Sequence, residues 1–310
     1  MRPLLRIGTR ASLLAVTQST WVKDQIEKHY PDTTVELVRI TTKGDKILDV
    51  PLAKVGGKGL FVKEIEDALL ANEVDIAVHS MKDVPTQLPE DLHVAIIPER
   101  ETAADAFVSV RYKNIEDLPQ GATMGTSSLR RKSQLAAMRP DLRILDLRGN
   151  LDTRLKKMEQ GEYDAIILAG AGLNRLGMQK RIATLFTPTQ MLPAIGQGSL
   201  GLELRKDDTE LLEGLQFLHH PHTATTVSAE RAFLIRLDGG CQVPIGAHAT
   251  LDGDTVCLTG LVASVDGTII LKDSIKGPAV EAAQLGTQLA ETLLDRGGKA
   301  ILDEVYNAQD

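Results

Sequence analysis

Short apolar runs alternate, in the first half of the chain, with longer stretches whose apolar positions recur every third or fourth residue. Residues 4–8, 35–40 and 75–78 have the continuity of buried strands. Between the first two, Ser12 is placed to cap a helix reaching about His29, with Leu13, Leu14, Val16, Trp21, Val22 and Ile26 on its apolar side. A second helix is predicted from Leu60 to about Asn72. The pattern repeats further on. Strands ending near Gly125 and Leu147 are each followed by a helix start, at Thr126-Ser127-Ser128 and near Asp152, and a strand ending at Leu168 is followed by Gly170-Ala171-Gly172-Leu173-Asn174-Arg175. Alternation of this kind predicts parallel α/β sheets. Turn-rich stretches at 98–104 and 192–198 bound this second block.

From about Pro221 the pattern changes. A helix over 224–237 precedes three strand-like runs, 244–251, 255–264 and 268–275. Asp252-Gly253-Asp254 and Asp266-Gly267 separate them as hairpin turns, and a last helix starts near Ala279. This reads as an α+β domain around a small antiparallel sheet. No internal sequence repeat or low-complexity tract is present.

Composition narrows the function classes. A chain of 310 residues is long for one core, so two or three domains are expected. Hydrophobic content of 43% is ordinary for a globular protein, whereas 3% aromatics argue against base-stacking surfaces. Net charge is −7 with no basic block, so no nucleic-acid partner is expected. Two cysteines exclude a disulfide scaffold. Arg2, Arg6 and Arg10 interrupt the apolar core a secretion signal needs, and no run of about 18 apolar residues offers a membrane span. The expected compartment is the cytoplasm, with no membrane partner and no metal site.

Candidate chemistry concentrates at the carboxyl ends of the predicted strands, where open α/β sheets bind ligands. Strand one runs into Arg10 and Ser12, and strand three into Ser80, Lys82 and Asp83. The middle block supplies Thr126, Ser127, Ser128, Arg130 and Arg131, then Arg148 and Arg154, then Arg175. The Gly- and Lys-rich stretch 42–59, read as a mobile lid, adds Lys54 and Lys58. Cations in a first helical turn oppose the helix dipole, and an anion between them offsets that. The expectation is a cleft between two α/β domains that holds a small polyanion through paired N–H donors. Neither a Gly-x-x-x-x-Gly-Lys-Ser/Thr loop nor a Gly-x-Gly-x-x-Gly turn after strand one points to a nucleotide. Asp83 is the one acid in this cationic set, and His79 reads as a structural residue. Cys241 stands on a Gly-Gly-Cys-Gln-Val-Pro turn where another molecule can reach its thiol, whereas Cys257 reads as buried in mid-strand. Three readings stay open at this point: a catalyst with a covalent attachment on Cys241, a two-lobed ligand-binding module, and a cysteine-nucleophile enzyme. The last lacks a nearby histidine to activate the thiol.

These segments together resemble the porphobilinogen deaminases over nearly the whole chain. The resemblance is carried by Arg10-x-Ser12-x-Leu14-Ala15, Lys54-Val55-Gly56-Gly57-Lys58-Gly59-Leu60-Phe61 and His79-Ser80-Met81-Lys82-Asp83-Val84-Pro85. It continues through Gly125-Thr126-Ser127-Ser128-Leu129-Arg130-Arg131, Leu147-Arg148-Gly149-Asn150, Pro193-Ala194-Ile195-Gly196-Gln197-Gly198 and Gly239-Gly240-Cys241-Gln242-Val243-Pro244. Gly170 and Ser199 depart from the pattern, and neither carries a reacting group.

The resemblance implies two α/β domains like type II periplasmic binding proteins around a cleft, plus a C-terminal α+β domain with a three-stranded antiparallel sheet. The expected boundaries are 1–99 with 196–217 for the first domain, 104–193 for the second and 221–310 for the third. It implies a monomer that joins four porphobilinogens head to tail, releases four ammonia molecules, and hydrolyses off the linear hydroxymethylbilane. A dipyrromethane cofactor would be held by a thioether to Cys241. Lys82, Asp83, Thr126, Ser127, Ser128, Arg130, Arg131 and Gly149 would contact that cofactor. Arg10, Ser12, Gln18, Lys58, Phe61, Arg148, Arg154, Arg175 and Gln197 would contact substrate. Asp83 would be catalytic, steadying the azafulvenium cation left when a pyrrole loses ammonia.

Overall fold

The computed structural model describes residues 1–46, 59, 62–240 and 242–307, the side chains of 45 and 46 excepted. The lid expected at 42–59 therefore lies mostly outside the described residues, as do Lys54, Lys58, Phe61 and Cys241. The described chain forms two compact units. The first holds the described residues up to Glu101 together with Ser199–Ala224. The second holds Thr102–Gly198 and the described residues from Thr225 onward.

The first unit opens with β1 (Leu4–Arg10), α1 (Leu13–His29) and β2 (Thr34–Ile40). Ser12 caps α1, its Oγ accepting the Ala15 N–H at 3.3 Å. After α2 (Lys63–Leu70) come β3 (Ile76–Ser80) and β4 (Leu92–Ile96). The second unit contributes β5 (Asp105–Val108), β6 (Thr123–Gly125), α3 (Leu129–Met138), β7 (Arg143–Leu145) and α4 (Leu151–Glu159). It continues with β8 (Ala165–Ala169), α5 (Gly170–Arg175) and β9 (Thr184–Leu185). The chain then supplies β10 (Leu200–Arg205) and α6 (Thr209–Gly214) to the first unit.

The first sheet has the order β2-β1-β3-β10-β4 and the second the order β7-β6-β8-β5-β9. Neither is purely parallel, which corrects the expectation from alternation. β10 runs antiparallel to both its neighbours, and so does β5. These are the strands that follow the two crossings, and no crossover helix leads into either, so nothing forces them parallel. The two sheets thus share one strand order without any sequence repeat. β8 shows why such strands read as unbroken apolar runs: Ala165 and Ile167 pack into one core cluster, Ile166 and Leu168 into another, because both faces are covered.

The remainder comprises α7 (Pro221–Arg236), β11 (Ile245–Asp252), β12 (Thr255–Ala263), β13 (Ile270–Pro278), α8 (Ala282–Leu293) and α9 (Lys299–Asn307). α7 begins three residues before the predicted start, because a proline fits a first helical position where its missing N–H has no partner to lose. The antiparallel sheet β11-β12-β13 packs Val256, Leu258 and Val262 against Phe233 of α7 and Leu289 of α8. Cys257 alternates with those residues and so faces away from that core. It is half-buried, not buried as the sequence suggested. Among the described residues, no helix is long and apolar enough to cross a membrane.

Candidate active site

In the first unit β1 and β3 pair in parallel, so their carboxyl ends lie side by side. One end delivers Arg10 and the Ser12 cap, with Gln18 buried one turn and a half along α1. The other end passes through Ser80 into a 3-10 turn, Met81–Asp83. The Met81 N–H donates to the Ser199 carbonyl at 3.0 Å and the Val84 N–H to the Met81 carbonyl at 3.3 Å, which fixes the turn against β10. Lys82 and Asp83 are half-buried on it. No hydrogen bond to the Asp83 carboxylate comes from any described residue. His79, one residue before Ser80, faces the other way: its Nε2 lies 2.8 Å from Glu203 Oε2, and both are buried. Glu66 of α2 is buried beside this pair. Burial, then the neighbouring Glu203, push its carboxyl up to about 7.

In the second unit the loop after β6 is shaped by its own hydroxyls. Ser127 Oγ donates to the Leu147 carbonyl and accepts the Leu147 N–H, both at 3.0 Å. Thr126 Oγ1 accepts the Ser128 N–H, and Ser128 Oγ caps α3 by accepting the Arg131 N–H. After β7, Arg148 leads to Gly149, whose φ of 111° is left-handed and whose carbonyl accepts Arg154 Nε at 2.7 Å. A Cβ on Gly149 would lie 2.8 Å from Thr153, so glycine is required there twice over.

Arg130 and Arg131 are buried together around Asp105, the first residue of β5, which is fully buried. Asp105 Oδ2 accepts Arg130 Nη1 at 2.7 Å. Its Oδ1 accepts Arg131 Nη2 at 2.7 Å, Arg131 Nε at 3.0 Å and Gln197 Nε2 at 3.0 Å. Arg130 also reaches the Leu192 carbonyl and Arg131 the Ile167 carbonyl. Burial alone would push the Asp105 carboxyl up, but the two guanidiniums outweigh it and hold it well below the usual carboxylate range. Burial, and Arg131 alongside, pull the Arg130 guanidinium below its ordinary value. Two guanidiniums against one carboxylate leave this buried cluster a surplus positive charge. That donor set fits a carboxylate-bearing group.

Two residues expected at substrate make contacts within the unit. Arg175 Nη2 donates to the Gly198 carbonyl at 2.7 Å, and Gln197 Nε2 also reaches the Ala103 carbonyl at 2.7 Å. Sequence reasoning missed Asp105 and Glu203. The available signal was an acid set in an otherwise apolar strand, Asp105-Ala106-Phe107-Val108 and Leu202-Glu203-Leu204. Among the described residues, no group of His, Cys and acids is placed to hold a metal ion.

Residues 5–213 match the family described as "Porphobilinogen deaminase, dipyromethane cofactor binding domain", and residues 224–295 match "Porphobilinogen deaminase, C-terminal domain". The class is thereby defined as an α/β enzyme with a dipyrromethane-binding region and a separate C-terminal sheet. The chain belongs to the porphobilinogen deaminase family. A porphobilinogen deaminase from Geobacter metallireducens is 57% identical over 305 residues, covering 98% of this chain and 96% of that protein. One from Trichlorobacter lovleyi is 55% identical, covering 98% and 97%. Among solved structures, a nutrient binding protein from Burkholderia cenocepacia bound to methionine aligns with a TM-score of 0.42 and 14% identity, over 68% of this chain and 89% of that one. That likeness is slight, and the fold stands on the strand orders above.

Proposed function

We propose that this enzyme joins four porphobilinogens head to tail, with loss of one ammonia each, and releases hydroxymethylbilane by hydrolysis. Family membership over both 5–213 and 224–295 carries the reading, because it spans the cation-rich strand ends and the cysteine-bearing region together. Cys241 would hold the dipyrromethane: its thiol replaces the amino group of an aminomethyl pyrrole, giving a thioether and one ammonia. When bound, the dipyrromethane supplies a nucleophilic pyrrole α-carbon. Lys82 and the surplus charge of Arg130 and Arg131 would neutralise its carboxylates, Thr126, Ser128 and Gly149 would offer them neutral hydrogen-bond donors, and Ser127 would shape the loop. Arg10, Ser12, Gln18, Lys58, Phe61, Arg148, Arg154, Arg175 and Gln197 would receive the acetate and propionate of the incoming monomer, directly or by shaping the loops that do. Asp83 would accept the N–H of that monomer's pyrrole and stabilise the cation that forms as ammonia leaves.

In the same reading the chain folds as three domains, 1–99 with 196–217, 104–193, and 221–310, and works as a monomer in the cytoplasm. The C-terminal region has a sheet of its own, which supports the third boundary, although it shares one compact unit with Thr102–Gly198. Intact-protein mass spectrometry tests the assignment. The purified chain is expected to be heavier than its sequence by a dipyrromethane located on the Cys241 peptide, and Cys241→Ser is expected to lack that mass and all turnover. An active chain of unmodified mass would refute the covalent reading.

A further inference from the structure

The two hairpin turns of the C-terminal sheet differ in what they touch. Gly253, between β11 and β12, has φ 54° and nothing within 4 Å of the position a Cβ would take. Gly267, between β12 and β13, has φ 74°, and a Cβ there would collide with the Ser133 carbonyl and reach within 3.0 Å of the Ala137 amide and 3.1 Å of Ala136 Cβ. Ser133 and Ala137 are the two ends of one i to i+4 step of α3. The hairpin tip is therefore pressed into the backbone of the helix that carries Arg130 and Arg131 in its first turn. The tip is stiff, since Asp266 Oδ1 accepts Ser264 Oγ at 2.6 Å, the Thr268 N–H at 3.0 Å and Thr268 Oγ1 at 2.9 Å.

Other contacts fix the same sheet in the same place. A Cβ on Gly246 of β11 would lie 3.1 Å from the Leu192 and Pro193 carbonyls and 3.3 Å from Arg130 Cδ. The Ala247 N–H donates to the Pro193 carbonyl at 3.1 Å, and Lys272 Nζ to the Thr189 carbonyl at 3.3 Å. Glu230 of α7, fully buried, accepts the Gly196 N–H at 2.7 Å with one oxygen and the Ala249 N–H at 2.9 Å with the other.

We propose that Gly267 is a positioning residue: its contact with α3 sets the reach between the cysteine-bearing region and the arginines of α3, and so governs how fast the chain acquires its cofactor. The inference rests on the function proposed above. A group tied covalently at one end and by its carboxylates at the other tolerates only a narrow range of separations. A hairpin lifted by the width of a methyl group changes that separation without removing any group that touches the cofactor.

Three full-length variants test this, each produced in a host unable to make porphobilinogen and then given porphobilinogen while mass gain is followed by intact-protein mass spectrometry. Rates are compared at equal folded fraction, measured by circular dichroism and thermal melting. Gly253→Ala imposes the same left-handed strain without the contact and is expected to load within about twofold of the wild type. Gly267→Ala is expected to load about tenfold or more slowly, and once loaded to keep the KM for porphobilinogen. Wild-type loading by Gly267→Ala, or equal slowing by the two glycine variants, overturns the proposal. Should Gly267→Ala not fold, Ala136→Leu presses on the contact from the helix side with a good helix former: slowed loading supports the proposal and wild-type loading overturns it. A wild-type chain that gains no mass overturns the functional reading and this inference with it.

Discussion

The two α/β sheets share a strand order and differ in the sign of the charge they bury. Against the first lie two carboxyls and an imidazole, Glu66, Glu203 and His79. Against the second lie two guanidiniums and one carboxylate, Arg130, Arg131 and Asp105. An acidic cluster can relieve its own repulsion by holding a proton, and the Glu66 carboxyl, raised to about 7 by burial and by Glu203, does so. A guanidinium does not give up its proton in a protein, so the basic cluster has no such route. In the function proposed above, the carboxylates of the bound group would balance it. Similar scaffolds therefore bury one cluster with surplus carboxyls, where Glu66 Oε1 and Glu203 Oε1 lack a hydrogen-bond partner among the described residues, and one with a surplus guanidinium.

The sharpest way to break that contrast is Asp105→Asn. It removes the one charge between two buried guanidiniums and is expected to destabilise the chain by about 3–5 kcal/mol, measured by denaturant unfolding. A loss below about 1 kcal/mol would mean that the arginines are balanced some other way. Asp83→Asn probes an acid left open to ligand where Asp105 is saturated. It is expected to preserve the melting temperature and lower kcat by about 10²–10³. Glu66→Gln tests the proton. A carboxyl raised in the folded state binds protons that the unfolded chain has released, so wild-type stability falls as pH climbs from the ordinary 4.5 towards 7. The variant is expected to match the wild type near pH 4.5 and exceed it at pH 8 by on the order of 2 kcal/mol. Parallel stability curves would remove Glu66 from the account. The smallest effects belong to the helix caps. Ser12→Ala and Ser128→Ala are each expected to lose about 1 kcal/mol of stability, and turnover lost without that change would show the hydroxyls serving ligand instead of helix.

Much of this was legible in the sequence because the relevant patterns are local. Ser12 and Ser128 announce their helices by position alone, and the basic residues after each strand mark the carboxyl ends of the sheets. The hairpins of the C-terminal sheet follow from their Asp-Gly turns. What stayed hidden depends on partners far along the chain. Nothing near Asp105 announces Arg130 and Arg131, and nothing near His79 announces Glu203, 124 residues away. The antiparallel direction of β5 and β10 was invisible for the same reason: a strand's direction is set by where the chain has just been. Arg130, Arg131 and Arg175 looked like a ligand array, but much of their hydrogen bonding goes to the protein itself.

The placement of β10 bears on the order in which the chain is made. This strand fills the slot between β3 and β4 and pairs with both, yet it is synthesised after the whole of β5 to β9. Until residue 205 or so has left the ribosome, β3 and β4 expose unpaired edges and the first sheet has a gap. The β5 to β9 sheet has no such debt to later sequence, since its strands all lie within residues 105–185. The sheet begun first is thus completed second, and nascent chains whose residues up to about 195 have left the ribosome should show proteolytic protection over β5 to β9 before any over β1 to β4.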